Sequence, residues 1–170
     1  MTHRIRNVLI LCTGNSARSI LAEALLNRDG AGRYRAFSAG SQPKDKPHPA
    51  AIALLKEQGF DTSGLRSKSW KEFAGPDAPQ MDLIITVCDS AAGETCPIWP
   101  GHPATAHWGI EDPAAVDGAG QADAFFSAMV YLQRRISLLL NLPDDQLDDI
   151  AWRDEVRAIG RIDDGGRSAG

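Results

Sequence analysis

A chain of 170 residues fits one domain and can bury a sizeable core, so multidomain readings start at a disadvantage. Hydrophobic residues at 43% and charged residues at 24% match an ordinary globule, and the longest apolar runs, 8–11 and 83–87, fall far short of a membrane span, so no membrane partner is expected. The net charge of −4 conceals a segregation: residues 1–73 carry twelve Lys/Arg against six Asp/Glu, whereas residues 74–133 carry eight acids and no Lys or Arg, which places an anion site in the first half. The basic residues are scattered in ones and twos without interleaved aromatics, which argues against nucleic acid. The N-terminus lacks the charge, apolar core and small-residue cleavage site of a signal peptide, and three cysteines suit a reducing compartment; a cytoplasmic location is expected.

In chain order, residues 7–12, Asn-Val-Leu-Ile-Leu-Cys, form an apolar run of strand length, the pattern of a strand buried on both faces of a parallel sheet. A polar loop follows, and from 17 to 28 the residues Ile20, Leu21, Ala24 and Leu25 recur at helical spacing, completing a β-loop-α unit. Residues 35–40 read as a second strand, and 48–58, entered through Pro47 and closed by Gly59, as a second helix. A third strand is expected over 82–88. Residues 75–120 hold twelve of the 26 Gly and Pro, so this stretch should otherwise be mostly loop, with a short fourth strand over 104–108. Phe125, Met129, Leu132, Ile136 and Leu139 predict a long amphipathic helix, and Leu142-Pro-Asp-Asp opens another that runs to about Gly160. Residues 1–162 are then one domain and 163–170 a disordered tail. Strands alternating with helices argue an α/β fold with a parallel sheet covered on both faces.

The first loop, Cys12-Thr-Gly-Asn-Ser-Ala-Arg18-Ser19, puts a cysteine and an arginine six positions apart across a polar turn that ends at a helix. Backbone N–H groups of Thr13, Gly14, Asn15, Ser16, Ala17, Arg18 and Ser19 can converge on one tetrahedral anion, helped by the helix dipole. Arg18 can close the cradle with a bidentate guanidinium. Cys12 in that positive field should have its thiol pKa below the free value of about 8.5 and attack as thiolate. The plain alternative is a buried strand cysteine before an ordinary connection; a strand before, a helix after, and Gly-Asn and Ser inside favour the site. No Gly-Lys-Ser/Thr ends the loop and only one glycine lies in it, which excludes a nucleotide P-loop and a dinucleotide fingerprint.

These residues resemble the active-site signature of the low-molecular-weight protein tyrosine phosphatase superfamily, which includes the thiol-coupled arsenate reductases. The likeness continues through Ser38-Ala-Gly40, Pro47-His-Pro-Ala-Ala, Thr86-Val-Cys-Asp and His107-Trp-Gly-Ile-Glu-Asp-Pro113, covering roughly 5–140. It implies a three-layer α/β sandwich with a four-stranded parallel sheet of order 2-1-3-4, and it places Asp112 where the superfamily keeps a general acid. It also implies loop-holding roles for Asn15 and Ser19, with hydrogen bonds to the thiolate.

Two activities share this loop, and the downstream residues discriminate between them. A phosphotyrosine hydrolase needs aromatic walls, which that branch carries just after its Asp-Pro; here Ala114-Ala-Val-Asp-Gly follows. Cys88 and Cys96 are the only other cysteines, one ending the third strand on the rim of Cys12, the other in the Gly- and Pro-containing loop 91–97. Either alone reads as a small buried hydrophobe. Together they resemble the arsenate reductase arrangement, which implies Cys12 attack on arsenate, Cys88 attack on Cys12 with release of arsenite, and exchange of Cys96 onto Cys88. The resemblance implies no tightly bound cofactor and an external reductant, thioredoxin or glutathione with glutaredoxin. The seven residues between Cys88 and Cys96 depart from the form associated with thioredoxin coupling, which leaves the donor open. A metal site is not expected, because the cysteines are too far apart and no His pair has ligand spacing. His107 and Trp108 are expected to be structural, with the ring packed beneath the loop, and His48 carries no argument.

Overall fold

The computed structural model describes residues 5–87, 103–143 and 149–161. Four strands, β1 (Arg6–Cys12), β2 (Tyr34–Gly40), β3 (Leu83–Thr86) and β4 (Ala104–His107), form one parallel sheet in the order β2-β1-β3-β4. The expected order is therefore observed. Cys12 pairs with Gly40 of β2, and Leu11 with Thr86 of β3, so the C-terminal ends of the strands share one rim. Between β1 and β3 the chain reverses its direction of travel across the sheet, and the loop after β1 opens there; a crevice at such a switch point is where parallel sheets bind ligands.

Strand alternation sorts β1 between two cores. Val8, Ile10 and Cys12 face α1 (Arg18–Asp29), α2 (Pro49–Glu57), α3 (Gln121–Leu140) and α4 (Asp149–Gly160), whose buried residues include Leu21, Leu25, Leu55, Phe125, Leu132 and Val156. Leu9 and Leu11 face the other side, against Ala39, Trp70, Phe73, Met81 and Ile84. Each fully buried leucine of α1 is worth about 1.5–3 kcal/mol relative to exposure, which anchors the helix whose first turn closes the loop.

The elements match their sequence expectations within a residue or two, except at three places. Trp70–Phe73 is a 3-10 turn that the sequence did not announce; Ser69 caps it, and Trp70 and Phe73 fill the second core. The long helix begins at Gln121, four residues before Phe125, because solvent-facing Gln121, Ala122 and Asp123 carry no apolar signal. The last helix is described from Asp149; Leu142 and Pro143 are not helical, and 144–148, like the tail expected over 163–170, lie outside the described residues. The Trp108 indole packs against the last helix: its Nε1 donates to Val156 O at 3.4 Å, and a Cβ on Gly160 of α4 would stand 2.8 Å from its Cδ1. No helix among the described residues is long and apolar enough to cross a membrane.

Candidate active site

Cys12 ends β1, buried at 5% exposure, and the loop turns away beside it. The turn needs a left-handed residue, and Asn15, with φ of 45°, is the one non-glycine residue at positive φ among the described residues. Asn tolerates this better than other side chains, and here every hydrogen-bonding position of its amide is used. Nδ2 donates to Ser19 Oγ and to Ser38 Oγ, both at 2.9 Å. Oδ1 accepts from the Lys68 backbone N at 2.9 Å and from Lys68 Nζ at 3.3 Å.

The loop's carbonyls all face outward. Thr13 O accepts from Gln42 N, Gly14 O from Lys44 N, Asn15 O from Ser67 Oγ, Ser16 O from His48 N and Ala17 O from Leu21 N, at 2.6–3.0 Å. In a trans peptide the N–H points opposite to the carbonyl it follows, so the amides of residues 14–18 turn into the concavity. Consecutive inward amides at a helix N-terminus make an anion cradle. Gly40 makes the close approach of β2 possible: a Cβ there would lie 2.7 Å from Cys12 O and nearer still to Thr13 O.

Arg18, the first residue of α1, closes the rim. Its Nη1 donates to Ile110 O at 3.0 Å and its Nη2 stands 3.8 Å from Asp112 Oδ2. Its Nε is buried with no hydrogen-bond partner among the described residues, a donor that an oxyanion in the loop would satisfy. The Asp112 carboxylate is half exposed, and its Oδ1 accepts from Ala114 N at 3.0 Å, capping the turn Pro113–Ala115. The structure thus joins three expected parts: cysteine, cradle with arginine, and acid. Beside Asp112 opens a cleft in which Tyr131 is the one aromatic side chain among described lining residues that include Ile110, Pro113, Val116 and Ala128. Cys88 and Cys96 lie outside the described residues; Val87, the residue before Cys88, donates its N–H to Leu11 O at 2.9 Å, one step from Cys12.

Sequence reasoning missed the residues that stand behind the loop. His48 holds Ser16 O, caps α2 by accepting from Ala50 N at its Nδ1, and lies against Phe125 with ring centroids 4.9 Å apart. Lys68 is buried beside the partly buried Glu23, Nζ to Oε1 3.8 Å, and Ser38 Oγ donates a short hydrogen bond to Glu23 Oε1. Burial pushes the Glu23 carboxyl above its ordinary value, against the pull of Ser38 and Lys68, and pushes the Lys68 ammonium below its own, against the pull of Glu23. The Ser38 of the Ser-Ala-Gly motif was the single sequence signal that pointed toward this group.

The family model described as low molecular weight phosphotyrosine protein phosphatase matches residues 7–147. An arsenate reductase of Bacillus licheniformis is 35% identical over 123 residues, 71% of this chain and 84% of that one. Among solved structures, an arsenate reductase in the phosphate binding state superposes with a TM-score of 0.66 at 28% identity, covering 80% of this chain and 97% of the other. The thioredoxin-dependent arsenate reductase of Corynebacterium glutamicum gives 0.59 at 25% identity, over 82% of this chain and 62% of that one.

Proposed function

The chain belongs to the low-molecular-weight phosphotyrosine protein phosphatase family, and we propose that within it this protein is an arsenate reductase that works by a cysteine relay. The observation that carries the reading is the loop itself, with Cys12 at its mouth, the carbonyls of 13–17 turned outward and the Arg18 Nε buried without a partner among the described residues. Arsenate, tetrahedral and anionic, fits a cradle of that kind. The Cys12 thiolate attacks arsenic while Asp112 gives a proton to the departing oxygen, so water leaves and a sulfur–arsenic bond forms. Cys88 then attacks the Cys12 sulfur. The sulfur–arsenic bond breaks with its electron pair left on arsenic, which departs as arsenite, and the two thiols have become one disulfide. Exchange of Cys96 onto Cys88 frees Cys12 and leaves a Cys88–Cys96 disulfide for an external thiol reductant.

The position of Val87 against Leu11 supports the second step, because the next residue in the chain is Cys88 and neighbouring Cα atoms are about 3.8 Å apart. The thioredoxin dependence of the Corynebacterium structure makes thioredoxin the first donor to try, with glutathione and glutaredoxin as the other. The cleft beside Asp112 counts against phosphotyrosine as substrate, since residues 114–116 are Ala-Ala-Val and Tyr131 is the one aromatic side chain lining it among the described residues. The test is arsenate-dependent NADPH consumption in separate thioredoxin and glutaredoxin systems, with p-nitrophenyl phosphate hydrolysis alongside. Turnover of arsenate in one donor system is expected; brisk ester hydrolysis without arsenate reduction in either would establish the phosphatase reading instead.

A further inference from the structure

We propose that Lys68 is a positioning residue for the oxyanion loop: its buried ammonium, together with Glu23, holds Asn15 in the left-handed conformation that turns the loop amides inward. Lys68 is 8% exposed, an unusual place for a lysine. Its Nζ lies 2.7 Å from Arg66 O, 2.8 Å from Ser38 O and 3.3 Å from Asn15 Oδ1, with Ser38 Oγ at 3.4 Å and Glu23 Oε1 at 3.8 Å. Three of these partners are carbonyl oxygens, which only accept. A neutral amine has two N–H groups and would set its lone pair against one of them; an ammonium supplies three. The oxygen cage therefore selects the charged form, and Glu23 supplies the balancing charge.

The cage converges on the strained residue. Lys68 grips Asn15 Oδ1 twice, through its backbone N and its Nζ, while Ser38, which donates to Glu23, accepts from Asn15 Nδ2. Lys68 Nζ meets the loop at Asn15 Oδ1, so Asn15 is where its effect on the cradle is expected. A purely structural role explains this arrangement less well. A buried ion pair is often no more stable than an apolar pair of the same shape, so stability alone gives no reason for this one to sit behind the loop. Loss of the grip should release Asn15 from the left-handed conformation that turns the amides inward and weaken oxyanion binding roughly tenfold.

The inference rests on loop 13–18 being an oxyanion cradle, and the experiment tests the two separately. Inorganic sulfate is titrated calorimetrically into the full-length reduced protein and into Lys68→Ala, with and without propylammonium, which is short enough to replace the missing side chain. Glu23 lines an open cleft with Ala24, Asn27, Arg28, Phe60 and Leu65, giving the amine a way in. Wild type should bind sulfate, Lys68→Ala should bind about tenfold more weakly, and propylammonium should restore affinity where tetramethylammonium, which cannot donate, does not. No sulfate binding by wild type overturns the cradle itself. Undiminished binding by folded Lys68→Ala, or equal recovery with both salts, leaves the cradle and overturns the role of Lys68. Should Lys68→Ala not fold, the neutral pair Lys68→Met with Glu23→Gln is read in its place: weak sulfate binding with near-native Tm supports positioning, while wild-type affinity, or failure of this pair to fold as well, overturns it.

Discussion

Arg18 and Asp112 face each other across the mouth of the loop, and each holds a second bond that decides how its replacement should be read. Arg18 donates to Ile110 O through Nη1, leaving Nε and Nη2 for the substrate side. Lysine keeps the charge and loses the planar fork, so Arg18→Lys should lower kcat/KM for arsenate by roughly hundredfold, about 2.7 kcal/mol of transition-state binding; steady-state kinetics check this, and unchanged values would remove Arg18 as the clamp. Asp112 caps its turn through Oδ1. Asparagine keeps that oxygen and cannot give the proton, so Asp112→Asn should retain Tm and oxyanion affinity while kcat falls by about 10²–10⁴-fold. A fall in Tm with kcat untouched would reduce Asp112 to a cap. The spacing of Cys12 and Arg18 was open to view in the sequence because both lie within one turn of chain. Lys68 was not, because its partners Asn15, Glu23 and Ser38 are 30 to 53 positions away, and a lysine met in sequence reads as a solvated charge.

Among the elements, β2 and the segment that follows it do more for the site than their sequence suggests. The residues after β2 run beside the loop, Gln42, Lys44 and His48 each donating a backbone N–H to it, and β2 can come this close because its last residue is Gly40. Gly40→Ala must push Thr13 and Cys12 aside; overpacking of this kind costs about 1–3 kcal/mol. Thermal melting should show the loss, and sulfate affinity should fall with it; a variant unchanged in both would mean the loop moves freely past β2. Arg66 and Glu72, paired at 2.7 Å, brace the segment that carries Lys68. Both are well exposed, so the pair is worth less than about 1 kcal/mol. The hydrogen bonds from Arg66 hold the Glu72 carboxyl below its ordinary 4.5, so this contribution is complete above that pH and fades as pH falls through the folded-state value. Glu72→Gln should therefore be slightly less stable than wild type at pH 7 and in low salt, and indistinguishable at pH 2 to 3; a gap that persists in acid would contradict the ionic origin. Strands and helices with a clean apolar period were legible in the chain. The turn Trp70–Phe73 was not, since four residues carry no period and its two rings find their core only through the strand alternation of β1.

At the scale of the whole molecule, the charge segregation and the sheet order point the same way. The basic first half carries the loop at the switch point of the sheet, while residues 74–133, with eight acids and no Lys or Arg, bring Asp112 to the same rim. The order β2-β1-β3-β4, which the family resemblance implies and the sheet shows, places the end of β3 next to Cys12 and makes Cys88 a candidate from the sequence alone. The central claim is that Cys88 and Cys96 perform chemistry that an ester hydrolase does not need. The most direct measurement is arsenate reduction by the Cys88→Ser/Cys96→Ser double variant with the wild-type donor, beside its hydrolysis of p-nitrophenyl phosphate. The relay predicts no arsenate turnover while phosphate ester hydrolysis stays within a few fold of wild type; reduction of arsenate at the wild-type rate would contradict it and make the two cysteines packing residues.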